Sequence, residues 1–160
     1  MIKPASLRAA LETALPELAA NPDRLVLYID QGRIDQRAGS LSFEYRYRLN
    51  VVLLDYPHHA STVIVPIVAW LMSHQPDIAL NPEIGEQAFV FEAEILNHDS
   101  MDLALRLLLT ERVLVATDPD TGATTATHLD EPTLDDVTWQ LVFVQPNTAP
   151  DWTEPHPEPV

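Results

Sequence analysis

Few residues in this chain are spaced for chemistry. His58 and His59 are adjacent, so from a regular strand or helix their side chains cannot both reach one metal ion. No HExxH or two-His-one-carboxylate spacing surrounds them. His98 beside Asp99 is a weaker metal candidate still. Glu92 and Glu94, at i and i+2, lie on one face of a strand and could suggest glycosidase-type acid–base work. That reaction also needs an aromatic-lined cleft, and two of the three tryptophans, Trp70 and Trp139, fall at core parity. Asp118-Pro119-Asp120-Thr121-Gly122 begins like a calcium loop but lacks the later ligands and the distal Glu, which leaves a hairpin turn. GxSxG, P-loop and GxGxxG patterns are absent, and four glycines leave little for a phosphate cradle. With no cysteine there is no thiol nucleophile, disulfide or Cys-ligated zinc. These residues point to no enzyme, no cofactor and no metal.

What remains is charge. The 160 residues carry nine Lys+Arg against 24 Asp+Glu, a net of -15, and Lys3 is the one lysine. Such a chain neutralises phosphate poorly, which argues against tight non-specific nucleic-acid binding and against anionic membrane surfaces. The longest apolar run, Val63 to Met72, is far shorter than the roughly 20 residues a membrane span needs. No apolar run follows Lys3, so no secretory signal is expected, and the default is a soluble protein of a reducing cytosol. Residues 1–112 hold all nine basic groups and 15 acidic ones, a net of -6; residues 113–160 hold nine acidic groups and no Lys or Arg, a net of -9. Within residues 146–160, five of fifteen are Pro, which predicts an extended, solvated tail after a single domain at 1–145.

The elements that must position these charges follow from periodicity. Leu7, Leu11, Ala14, Leu15 and Leu18 recur at helical spacing, with Pro16 expected to bend or break the helix near its end. Leu25 to Ile29 reads as a short buried strand, and polar residues 30–40 as a loop or wide hairpin. Phe43, Tyr45, Tyr47, Leu49, Val51 and Leu53 alternate with polar positions, which predicts a long strand with one apolar and one charged face. Val63, Ile67, Trp70, Leu71 and His74 predict a second helix, with Pro66 expected in or near its first turn. Phe89, Phe91, Ala93 and Ile95 alternate in another strand. Leu103, Leu105, Leu107, Leu109, Val113 and Val115 share one parity in a longer one, and Trp139 to Val144 reads as a last strand. The order predicts an α+β fold: two helices packed on one face of a mostly antiparallel sheet. On the sheet's other face the parity places Glu44, Arg46 and Arg48, with Arg106 and Arg112 at equivalent positions. Exposed Arg and Glu suit either bare surface or a polar subunit interface.

Several blocks carry a resemblance. Asn21 to Leu25, Ser40 to Tyr56 (SLSFEYRYRLNVVLLDY), Val65 to Leu71 (VPIVAWL), Gln75 to Glu83 (QPDIALNPE) and Leu109 to Val115 (LTERVLV) occur in order. Over roughly residues 3–117 the chain resembles the tail completion protein R family of contractile-tailed, P-two-like temperate phages. The resemblance implies a structural protein, not an enzyme, acting in the virion at the head-proximal end of the tail after assembly in the bacterial host cytoplasm. By fold analogy it implies a tail terminator: a ring, expected to be a hexamer, that stops tube or sheath polymerisation and offers a docking surface to the neck or head-completion connector.

In that setting the partners are further copies of the chain, the tail tube or sheath protein and the neck, with DNA only as passing cargo. An acidic wall around the lumen repels phosphate and lets DNA slide. Asp118, Asp120, Asp130, Glu131, Asp135 and Asp136 are expected to face that lumen or a basic partner. Trp152, a lone aromatic among Pro and acids, is a candidate anchor in a partner groove. The competing reading is an acidic DNA mimic that inhibits a nucleic-acid enzyme.

Overall fold

The computed structural model describes residues 1–80, 87–96 and 99–131. In chain order the elements are α1 (Lys3–Ala14), α2 (Pro16–Ala20), a 3-10 turn (Pro22–Arg24), β1 (Leu25–Gln36), β2 (Phe43–Tyr56), α3 (Ser61–His74), α4 (Asp77–Leu80), β3 (Phe89–Ile95), β4 (Met101–Thr117) and β5 (Thr124–His128). The strands form an antiparallel sheet in the order β1-β2-β4-β3, and β5 also pairs with β4. The predicted α+β class holds. The domain boundary at 145, the strand at 139–144 and the Pro-rich tail lie outside the described residues.

Both long helices cover the same face of the sheet. Leu7, Leu11, Val63 and Ile67 pack with Leu49, Val51, Leu53, Leu103, Leu105 and Leu107, all at 0–1 % exposure. Burying a side chain of this size stabilises by about 1.5–3 kcal/mol. Arg8 Nη2 donates to the Leu25 carbonyl at 3.0 Å, and Trp70 Nε1 donates to Ser6 Oγ at 3.0 Å, tying α1 to β1 and to α3. The alternation that marks β2 and β4 in the sequence is therefore the imprint of this one-sided cover.

Two local expectations, the end of β1 and the place of Pro66, need correction. β1 does not stop at Ile29 but runs to Gln36, pairing with β2 through a register shift between Ile29 and Gln31. The shift breaks the alternation, and its second half is an exposed edge, so its residues are polar. Pro16 breaks the first helix, one of the two outcomes expected, and opens a new short one. Pro66 lies inside α3, beyond the first turn; lacking an N–H, it cannot bond the carbonyl of Thr62. In β3, Phe91 and Ile95 sit opposite Leu105 and Met101 on the helix-bearing side, yet are 60 % and 79 % exposed. They belong to an edge strand that the helices do not reach. Tight turns carry left-handed backbone where glycine supplies it: Gly39 (φ 81°) between β1 and β2, and Gly122 (φ 69°) between β4 and β5.

Candidate functional site

On the face of the sheet opposite the two long helices, the described elements include only α4 beside the strands, at the edge of one groove. Register places Asp35, Glu44 and Arg112 in one row, Arg33, Arg46 and Thr110 in the next, then Gln31, Arg48 and Leu108, and then Tyr28, Asn50, Arg106 and Val90. Glu44, Arg46, Arg48, Arg106 and Arg112 thus do share one face. They are not equivalent. Arg46 Nε lies 2.7 Å from both Asp35 Oδ2 and Glu44 Oε1. Arg106 Nη2 lies 2.9 Å from Glu92 Oε1, and Arg112 Nη2 is 4.0 Å from Glu131 Oε2. Arg48 is half-buried and has no ion pair or hydrogen bond to any described residue. It lines a groove of about 550 Å³ with Gln31, Arg33, Arg46, Leu108 and Thr110. Gln75 and, from α4, Asp77 and Ile78 line it as well.

The sheet also has a part with nothing behind it. β2 meets β4 no further than Phe43–Val113, and beyond that row β4 is paired only by β5, over Val113–Thr117 and Thr124–His128. All residues from 116 to 127 are exposed. The result is a two-stranded hairpin that projects past the sheet. Its tip is rigid: the Asp118 carboxylate accepts from Asp120 N at 2.8 Å and Thr121 N at 3.1 Å, and Gly122 N donates to the Asp118 carbonyl at 2.9 Å. The Thr121 and Asp120 backbone bonds hold the Asp118 pKa below the usual carboxylate value. Asp120 has its own carboxylate free of any described partner.

The remaining acidic candidates separate. Asp130 is exposed. Glu131 faces inward instead: its carboxylate is 14 % exposed and sits 2.9 Å from Lys3 Nζ. Asp135, Asp136 and Trp152 lie outside the described residues. His58 and His59 point apart, His58 Nε2 lying 3.0 Å from Glu17 Oε2 while His59 Nδ1 accepts from Ser61 N at 3.1 Å.

A cluster that sequence reasoning missed surrounds Glu111. This carboxylate, in a buried residue, accepts from Ile2 N at 2.7 Å and Lys3 N at 3.2 Å, is bonded by the Tyr47 hydroxyl, and lies 3.2 Å from His128 Nδ1. It therefore caps the first turn of α1, where free N–H groups and the helix dipole favour negative charge. Burial opposes the charge, but the bonds from Tyr47, Ile2 and Lys3 outweigh it and hold the pKa low. Burial, and then the Glu111 partner, push the Tyr47 hydroxyl well above its ordinary range. Beside it, Gln75 Oε1 accepts from Lys3 Nζ at 2.7 Å and Thr110 N at 3.0 Å, while its Nε2 donates to Thr110 Oγ1 at 2.9 Å. Gln75 thereby takes the place of a neighbouring strand in the gap between β3 and β5. The signal for Glu111 was present: a charged residue at the apolar parity of Leu109 and Val113. The cluster fastens α1 to the sheet.

Comparison with known proteins bears on the whole arrangement. The chain is similar to the tail completion protein R of Escherichia phage P2, 46 % identical over 117 residues that make up 72 % of this chain and 76 % of that protein. No solved structure matches it. The family profile described as P2 phage tail completion protein R (GpR) matches residues 1–132, so this chain belongs to that family.

Proposed function

We propose that this chain completes the phage tail as a ring at its head-proximal end, ending tube or sheath polymerisation and presenting a docking surface to the neck. The observation that carries the reading is the family match over residues 1–132. A structural role in tail completion follows from it, and nothing in the comparisons supports the DNA-mimic alternative. The ring rests on fold analogy with tail terminators. A terminator must cap an open polymer without extending it, and head-to-tail contacts that close by rotation do so. The open sheet face, with Glu44, Arg46, Arg48, Arg106 and Arg112, offers such a contact surface.

Charge suits the same role. At -15 per chain, a ring would present a wall that DNA passes without sticking. Asp118, Asp120 and Asp130 would face that lumen or a basic partner, joined by Asp135 and Asp136; the Lys3 pairing makes Glu131 the least available of the set. Trp152 would anchor the C-terminal tail on a tail or neck protein. Removing the gene and restoring it from a plasmid tests the reading. Electron images should show tails without a head-proximal ring and without joined heads, and restored particles on complementation. Normal particles in the absence of the protein would refute it.

A further inference from the structure

We infer that the projecting β4–β5 hairpin of one copy docks its acidic tip in the Arg48 groove of the next copy. The inference rests on the ring reading above and gives its subunit contact. Three observations lead to it. Arg48 is a half-buried guanidinium in a groove, without a described partner, in a chain that carries 24 acidic residues. Arg is the residue best built to take a carboxylate bidentately. The hairpin, for its part, is exposed from residue 116 to 127 and has no third strand beyond Val113. A two-stranded ribbon of this kind is marginal by itself, so a surface that receives it would stabilise it. Its tip is pre-shaped by the Asp118 turn, which leaves Asp120 to reach outward.

Geometry makes the occupant a second copy. Asp118 lies ten residues beyond Leu108, the β4 residue in the Arg48 row. At a strand rise of about 3.3 Å per residue that is roughly 33 Å along β4, in a direction leading away from the groove. A hairpin cannot fold back over that distance within its own sheet. The contact uses two different surfaces, tip and groove, so it is heterologous and propagates from copy to copy; closure by rotation gives a ring.

The test uses the full-length chain and its mass in solution across a concentration series. Arg48→Glu and Asp120→Lys should each raise the concentration needed for assembly at least tenfold, with the single chain still folded by its circular-dichroism spectrum, and the double variant should recover most of the loss. A multimeric parent whose single variants assemble normally, or whose double variant shows no recovery, overturns this contact and leaves the ring reading standing. Recovery of Arg48→Glu by Asp135→Lys with Asp136→Lys instead overturns the hairpin as the occupant. A parent that stays monomeric and is absent from tails overturns the ring reading, and the contact with it. Should Arg48→Glu not fold, cysteine placement gives the same answer, because the chain has no cysteine of its own. With Arg48→Cys and Asp120→Cys together, a short bismaleimide should give a ladder of linked copies. Neither cysteine alone should give more than dimers, and a double variant without a ladder refutes the contact.

Discussion

The two faces of one sheet have been put to opposite uses. On the helix-bearing face, the buried polar groups Glu111 and Gln75 are matched: Glu111 by two backbone N–H groups and Tyr47, Gln75 by Lys3 and Thr110. On the other face, Arg106 and Arg46 are paired only with partly exposed carboxylates, and Arg48 is paired with none that is described. Unmatched charge is costly in a core and cheap at a surface that a partner will cover. Stability is therefore expected to reside on the first face, and assembly on the second. The comparison breaks if a change on either face acts in the other's measurement.

The largest effect is expected in the core. Leu105, at 0 % exposure, belongs to the buried cluster that the sheet and the helices share. Leu105→Ala should cost about 2–5 kcal/mol in chemical denaturation. Next comes the carboxylate that holds α1. Glu111→Leu leaves the Tyr47 hydroxyl and the Ile2 and Lys3 N–H groups without their acceptor, a loss of about 1–3 kcal/mol. The same residue gives a pH signature. Its folded pKa lies below the ordinary 4.5, so its contribution is complete above that value and disappears as pH falls through the folded pKa. Acid denaturation of Glu111→Gln should lack that part of the pH dependence; an unchanged profile would remove Glu111 from the account.

The smallest stability effects are expected on the open face. Glu92→Ala breaks the 2.9 Å pair with Arg106, whose side chains are 69 % and 39 % exposed. A pair this exposed is worth about 0–1 kcal/mol, so thermal denaturation should barely move. A large drop in Tm there would show the open face to be part of the folding machinery.

The two faces also differ in how well the sequence announces them. β2 and β4 were legible because a strand covered on one side writes its cover as alternation, and α1 and α3 because their apolar residues recur every three to four positions. Where cover is missing, the signal fails. The second half of β1 is polar because it is an exposed edge, and β5, TTATH, carries no large apolar residue because its ribbon stands alone. Phe91 and Ile95 fail in the reverse sense, since alternation shows which side they face but not whether a helix reaches them. The charged face of β2 was readable as a face, whereas the difference between a satisfied Arg46 and an unpartnered Arg48 depends on Asp35, eleven residues before Arg46 on another strand. The Glu111 cluster needed contacts across more than a hundred residues, from Ile2 to Glu111, which no local pattern encodes.

A closed ring built through the open face is tested most directly by one number: the mass of the native full-length protein in solution. A closed ring gives a single multimer, near six copies of the 17.9 kDa chain, that falls to the single-chain mass on Arg48→Glu while the chain stays folded. A parent that remains at the single-chain mass at every concentration, and is not found on tails, would contradict it.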